Sequence, residues 1–127
     1  MIQPLPLRLL PEVFGMCRFG PAADVPDVIT RASPCFIART ATELSIIAPL
    51  AVLDSPSARF RLFGIDATFG TTESGILKQI IDPLASAQVW VLALGTHDTD
   101  YILVREDQAG IAALALQRAG HPVAGTV

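Results

Sequence analysis

Ten prolines and nine glycines are spread through these 127 residues and cut the chain into short pieces. Proline has no backbone N–H and glycine loosens the backbone, so short strands and short helices are what fit between them. The pieces are strongly apolar: 51% of the residues are hydrophobic and only 17% are charged, with a mean hydropathy of +0.50. A chain of this length buries roughly two-thirds of the surface its unfolded form exposes. One this apolar has to hide more hydrophobic side chain than most. Collagen, coiled coil and bulk disorder are poor descriptions of such a sequence. Either the core is rich in sheet, or a partner covers part of the apolar surface.

The formal charge is -3 and the isoelectric point is about 5.2, with no cluster of four or more basic residues. That balance argues against a nucleic-acid partner and against an anionic membrane surface. The opening MIQPLPLRLL is apolar but broken by prolines, and does not read as a signal peptide. No stretch reaches the roughly 20 apolar residues that span a bilayer. A soluble, cytoplasmic protein with no membrane partner is expected. Cys17 and Cys35 match no metal motif, and their apolar settings favour reduced, buried thiols. His97 and His121 do not suffice for a zinc site, so neither metal nor cofactor is expected.

Residues 13–19 alternate as a strand. In 21–31, Val25, Val28 and Ile29 recur at one-turn spacing, with Pro26 at a first helical position, predicting a helix of two or three turns. Residues 35–40 and 43–48 read as a hairpin turning at Ala41 and Thr42. The stretch 49–58 reads as a connection between two related halves. A strand over 59–65 leads through a polar passage, 66–74, into a helix over 75–87, where Ile76, Leu77, Ile80, Ile81 and Leu84 form one apolar face. Pro83 should crowd the carbonyl of Gln79, which predicts a kink, or a break after Asp82. Residues 88–94 and 100–104 form an antiparallel hairpin through the polar turn 95–99. A last helix is expected over 107–120, with Asp107 as N-cap and Gly120 as C-cap. His121 is expected in solvent beyond that cap, ahead of a short edge strand.

The order strand, helix, strand, strand, helix, strand predicts an α+β, ferredoxin-like βαββαβ fold with an antiparallel sheet and helices on one face. Residues 59–127 carry the full order, and residues 1–58 an abbreviated version. The uncovered sheet face, or an edge, is where the excess apolar surface would go, against the other half or a second chain.

Two islands, residues 68–75 and 95–100, are unusually polar for this chain. If they share one rim, N–H groups around Ser74, Gly75 and Ile76 can receive a carboxylate while Glu73, Asp98 or Asp100 meets an ammonium. That describes a zwitterion site. The same residues also serve as helix caps and turn formers: Thr72 or Ser74 as cap, Glu73 as a first-turn acid, Gly75 for close packing, and Asp98 and Asp100 in the hairpin. An enzyme reading is weaker. His97, Asp98 and Ser74 supply a triad only in name, because neighbours on a strand face opposite ways and no nucleophile elbow surrounds the serine. No glycine-rich phosphate loop is present.

Glu43-Leu44-Ser45-Ile46-Ile47-Ala48-Pro49, Leu62-Phe63-Gly64, Ser74-Gly75-Ile76-Leu77, Pro83-Leu84-Ala85, Thr96-His97-Asp98-Thr99-Asp100-Tyr101-Ile102-Leu103-Val104 and Gly120-His121-Pro122-Val123 together carry a resemblance. Across about residues 13–123 the chain resembles small bacterial proteins built from tandem ACT-like domains, similar to the ACT repeats of cytosolic arginine sensors. The resemblance implies two tandem ACT-like units and an amino acid bound between such units. It puts Ser45 and Ile46 on one wall, Glu73, Ser74, Gly75 and Ile76 at the start of a helix holding the ligand's main-chain end, and Thr96 and Asp100 in the hairpin, with Asp100 facing a cationic side chain. This chain has one pair of units where the animal sensors have two, and His97 replaces an aromatic residue, so a homodimer is expected to rebuild the assembly. The expected function is a non-catalytic amino-acid-binding regulatory module that acts through a separate protein target. The alternative is a ligand-free structural or protein-interaction domain of the same shape.

Overall fold

The computed structural model describes residues 4–54, 58–69 and 74–127, which fall into two units, Glu12–Phe60 and the pair Met1–Pro11 with Arg61–Val127. The first eleven residues thus group with the C-terminal half. Strand β1, Leu7–Leu9, is an element the sequence reading left unassigned.

In the Glu12–Phe60 unit the order is β2 (Phe14–Phe19), α1 (Asp27–Thr30), β3 (Phe36–Arg39), β4 (Leu44–Pro49) and a 3-10 turn over Leu50–Val52. β4 pairs antiparallel with both β2 and β3, so it lies between them as in a split β-α-β unit. Phe60 ends the unit opposite Phe14. The helix predicted at two or three turns is only four residues long. Pro26 sets its first turn, but a sequence with Ala32, Ser33 and Pro34 ahead has little that prolongs it. Ile29, Leu44, Ile46, Ala48 and Leu53 form the core, with Cys17, Cys35 and Val52 packed partly against it. Both cysteines are free, and both are half-buried rather than fully buried.

The other unit adds β5 (Phe60–Ile65), α2 (Ile76–Ser86), β6 (Val91–Gly95), β7 (Asp100–Arg105), a 3-10 turn over Glu106–Gln108, α3 (Ala109–Arg118) and β8 (Val123–Ala124). β7 pairs with β5 and with β6, the second pairing antiparallel from Val91↔Val104 to Gly95↔Asp100. This is the expected ferredoxin-like order with one insertion. β1 pairs antiparallel with β5 and β8 pairs parallel with β1, so β1 occupies the lane beside β5 and pushes the last strand outward. Leu5, Leu7 and Leu9 enter a core with Phe63, Ile65, Ile80, Leu84, Ile102, Val104 and Leu116. β5 is buried along its whole length.

Three local expectations are corrected. Pro83 sits inside a continuous α2 rather than ending it. The Gln79 carbonyl that Pro83 leaves without its helical N–H is instead within 3.2 Å of His121 Nε2. His121 is 1% exposed, not solvated: its Nδ1 accepts the Leu5 N–H at 3.0 Å, which makes Nε2 the protonated nitrogen that donates to Gln79. The burial follows from how α3 ends. Gly120, at φ 96°, donates to Gln117 O and the His121 N–H to Leu116 O, each at 3.0 Å, the Schellman pattern that turns the chain back across the helix end. Finally, the N-cap of α3 is Gln108, with no side-chain cap bond. Asp107 Oδ1 accepts from Arg105 Nε at 3.3 Å instead.

Candidate functional site

The two polar islands lie in the chain just before α2 and in the turn of the β6–β7 hairpin. β6 and β7 end at Gly95 and Asp100, and Thr96 closes the turn: its N–H donates to Thr99 O at 2.9 Å, and its hydroxyl donates to the same oxygen and accepts from the Thr99 N–H. The Thr99 hydroxyl donates to Ile65 O at 2.9 Å, fixing the hairpin to the end of β5. The Phe69 N–H donates to Asp98 O at 2.7 Å. That bond brings the chain leading toward α2 against the hairpin turn, so the two islands begin at one rim.

Gly75 is the N-cap of α2 with φ 78°, and no side chain caps the helix among the described residues. Its role is conformational, since an added Cβ would meet nothing within 4 Å. The close helix-to-strand packing suggested for it is absent. Ser74 and Gly75 are exposed and Ile76 half-buried. The first N–H groups of an 11-residue helix thus have no side-chain acceptor among the described residues, and such groups can hold a carboxylate. Asp100 is half-buried, with Oδ1 3.3 Å from where a Gly95 Cβ would stand, so the carboxylate lies across the hairpin from the backbone of β6. Glu73, along with Gly70, Thr71 and Thr72, lies outside the described residues.

His97 and Asp98 stand in a turn rather than on a strand, and there neighbours can meet: Nδ1 and Oδ1 are 2.8 Å apart, both side chains largely in water. Such an exposed pair has the character of a turn contact. Ser45 and Ile46 stand on β4 in the Glu12–Phe60 unit. Strand alternation sends them to opposite faces: Ser45 lies opposite Arg18 and Ala38, and Ile46 opposite Cys17 and Ile37. Ile46 is fully buried in the core on a strand paired on both sides, so it presents no surface to a ligand.

Among the described residues no three or more acidic, His or Cys side chains gather as a metal site, and no helix is long and apolar enough to cross a membrane. The sequence reading passed over a cavity in the Glu12–Phe60 unit, lined by Cys17, Phe19, Ile29, Leu53 and Asp54 among others. No sequence signal announced it, since the helix expected there was two or three turns long and the observed one is four residues.

An ACT domain is found over residues 57–118, a span that includes β5 through α3. No curated protein matches the sequence. Among solved structures, a protein from Agobacterium tumefaciens is similar over 96% of this chain and 93% of its own, with 25% identity and a TM-score of 0.86. A Vibrio cholerae protein of unknown function, described as a possible transport protein, is similar over 91% of this chain and 89% of its own at 17% identity and a TM-score of 0.72. A chain from the crystal structure of aspartokinase alpha and beta subunits covers 90% of this chain with 96% of its own, at 14% identity and a TM-score of 0.61.

Proposed function

We propose that the chain is a non-catalytic regulatory module of two ACT-like units, which binds an amino acid or a related zwitterion and passes the signal to a separate protein as a cytoplasmic homodimer. ACT domains are in general regulatory modules that bind amino acids. The observation that supports the reading is the Phe69–Asp98 backbone bond, which holds the chain leading toward α2 against the hairpin turn. The start of α2, with no side-chain cap among the described residues, suits a carboxylate, and Asp100 suits an ammonium or a cationic side chain. Ser74, Gly75, Ile76 and Thr96 complete the ligand-facing set. A second ACT-like unit is supported by Glu12–Phe60, where strand, helix, strand, strand recurs with the last strand paired between the first two.

A ligand that prefers one arrangement of the rim stabilises it by the difference in affinity. Calorimetry and thermal shift of the full chain against the twenty amino acids test the reading. One or a few should bind and raise the melting temperature, and Asp100→Asn should weaken that binding about tenfold or more, as expected for losing a charge-assisted contact. No response to any of the twenty ends the proposal.

Exposed Trp90, Ile111 and Leu114 favour a second reading, a ligand-free protein-interaction domain. Light scattering over a range of concentrations separates the two: self-association lost in Ile111→Glu, with no amino-acid response, supports interaction alone.

A further inference from the structure

In the Glu12–Phe60 unit, one turn of helix cannot cover three strands. Gly15, Cys17 and Phe19 of β2 lie opposite Ala48, Ile46 and Leu44 of β4, and opposed residues of an antiparallel pair share a face. That face holds the unit's core. Over its β2 side opens a cavity of about 360 Å³, walled by Cys17, Phe19, Ile29, Val52 and Leu53 with Asp54 at its edge. The volume falls in the range of small-molecule pockets. Phe19 and Val28 also line it and remain 39% and 58% exposed, so apolar surface continues to its mouth.

Two charged residues, Arg18 and Asp54, line this cavity. Arg18 borders it, but Arg18 lies opposite Ser45 on the other face, and its guanidinium donates to Thr42 O at 3.0 Å. Among the described residues no hydrogen bond or ion pair engages the Asp54 carboxylate. Burial, and then the negative charge of Asp54, push the Cys17 thiol up, so it stays protonated and neutral. An apolar wall, a neutral thiol and one unanswered carboxylate are complementary to a cation with an apolar body.

We propose that this cavity binds a small primary amine, its ammonium paired with Asp54 and its apolar body packed on Phe19, Ile29 and Leu53. The site is separate from the amino-acid rim and does not depend on it.

Three probes of similar size test the assignment on the full chain: 2-phenylethylamine, 2-phenylethanol and 3-phenylpropionate. The readout is alkylation of Cys17 by iodoacetamide, followed by peptide mass spectrometry with Cys35 as internal reference, each variant compared with itself with and without probe. At ten times its Kd the amine should slow Cys17 alkylation about tenfold and leave Cys35 unchanged. Asp54→Asn should weaken the amine about three- to fivefold, the scale of an exposed ion pair, without changing the alcohol. Val28→Trp, at an exposed position, should close the mouth and remove the protection. The proposal is overturned if no probe protects Cys17, if the propionate protects as well as the amine, if Cys35 is protected equally, or if protection survives Val28→Trp.

Discussion

Gln88 holds φ 59°, the one positive value outside glycine among the described residues. It stands where α2 ends in a Schellman pattern: the Gln88 N–H donates to Ala85 O and the Val89 N–H to Leu84 O, each at 3.0 Å. A left-handed backbone costs a residue with a Cβ about 1–2 kcal/mol, and glycine escapes that cost. Gln88→Gly should therefore raise stability by about 1 kcal/mol, and Gly120→Ala, at the matching position after α3, should lower it by a similar amount, both read from urea unfolding. Equal midpoints for Gln88→Gly and the parent chain would remove this account. Cys17 carries a pH prediction. With its thiol pushed up first by burial and then by Asp54, the midpoint of its alkylation rate against pH should lie above that of an ordinary thiol. Asp54→Asn should bring that midpoint down only part of the way, because burial is the larger cause. Residue chemistry was unevenly legible. Gly120 as a C-cap could be read from its place after an apolar helix, but the burial of His121 could not, because it depends on Leu5 and Gln79, far away in sequence.

At the scale of elements, Pro83 and His121 explain each other. The proline removes the N–H that Gln79 O would accept, and the His121 ring supplies a substitute while taking up the Leu5 N–H on its other nitrogen. His121→Ala leaves two buried backbone groups unpaired and opens a void, which should cost about 3 kcal/mol. In a Pro83→Ala background the restored helical N–H satisfies Gln79 O, so the same His121→Ala change should cost about 1 kcal/mol less, a coupling that a double-mutant cycle measures. Full additivity would show that the histidine packs there without serving the carbonyl. Most elements could be read because their periods are clean: 3.6 in Ile76, Ile80 and Leu84, and 2 through the hairpins. β1 carried an equally clean signal. Leu5, Leu7 and Leu9 are buried while Pro6 and Arg8 are exposed, a strict alternation hidden by prolines at 4 and 6 that read as breakers. The proline there is tolerated because the carbonyl of Pro6, accepting the Asp66 N–H, is the group the sheet needs.

At the scale of the whole molecule, β1 determines what can stand alone. The ACT match runs from residue 57 to 118, yet the lane beside β5 is filled by β1, and β8 pairs with β1 alone. Arg61, only 7% exposed, fastens both ends of the chain from one guanidinium nitrogen, donating to Leu10 O at 2.9 Å and to Thr126 O at 3.1 Å. Gly125 meets the same strand so closely that an added Cβ would come within 2.5 Å of Leu9 O. No period or motif announces that first and last strands meet side by side, since the pairing is written in burial and fit rather than in local pattern. Its energetic weight is large. Fully burying Leu5, Leu7 and Leu9 is worth about 1.5–3 kcal/mol each, together comparable with the whole stability of a small domain, about 5–15 kcal/mol. A chain lacking residues 1–10 should therefore lose its cooperative thermal transition, although every residue of the ACT match is retained. Gly125→Val, which forces β8 from β1 and leaves the sequence otherwise intact, should lower the melting temperature in the same direction. A truncated chain that still melts cooperatively near the parent temperature would show that β5 needs no neighbour on that side.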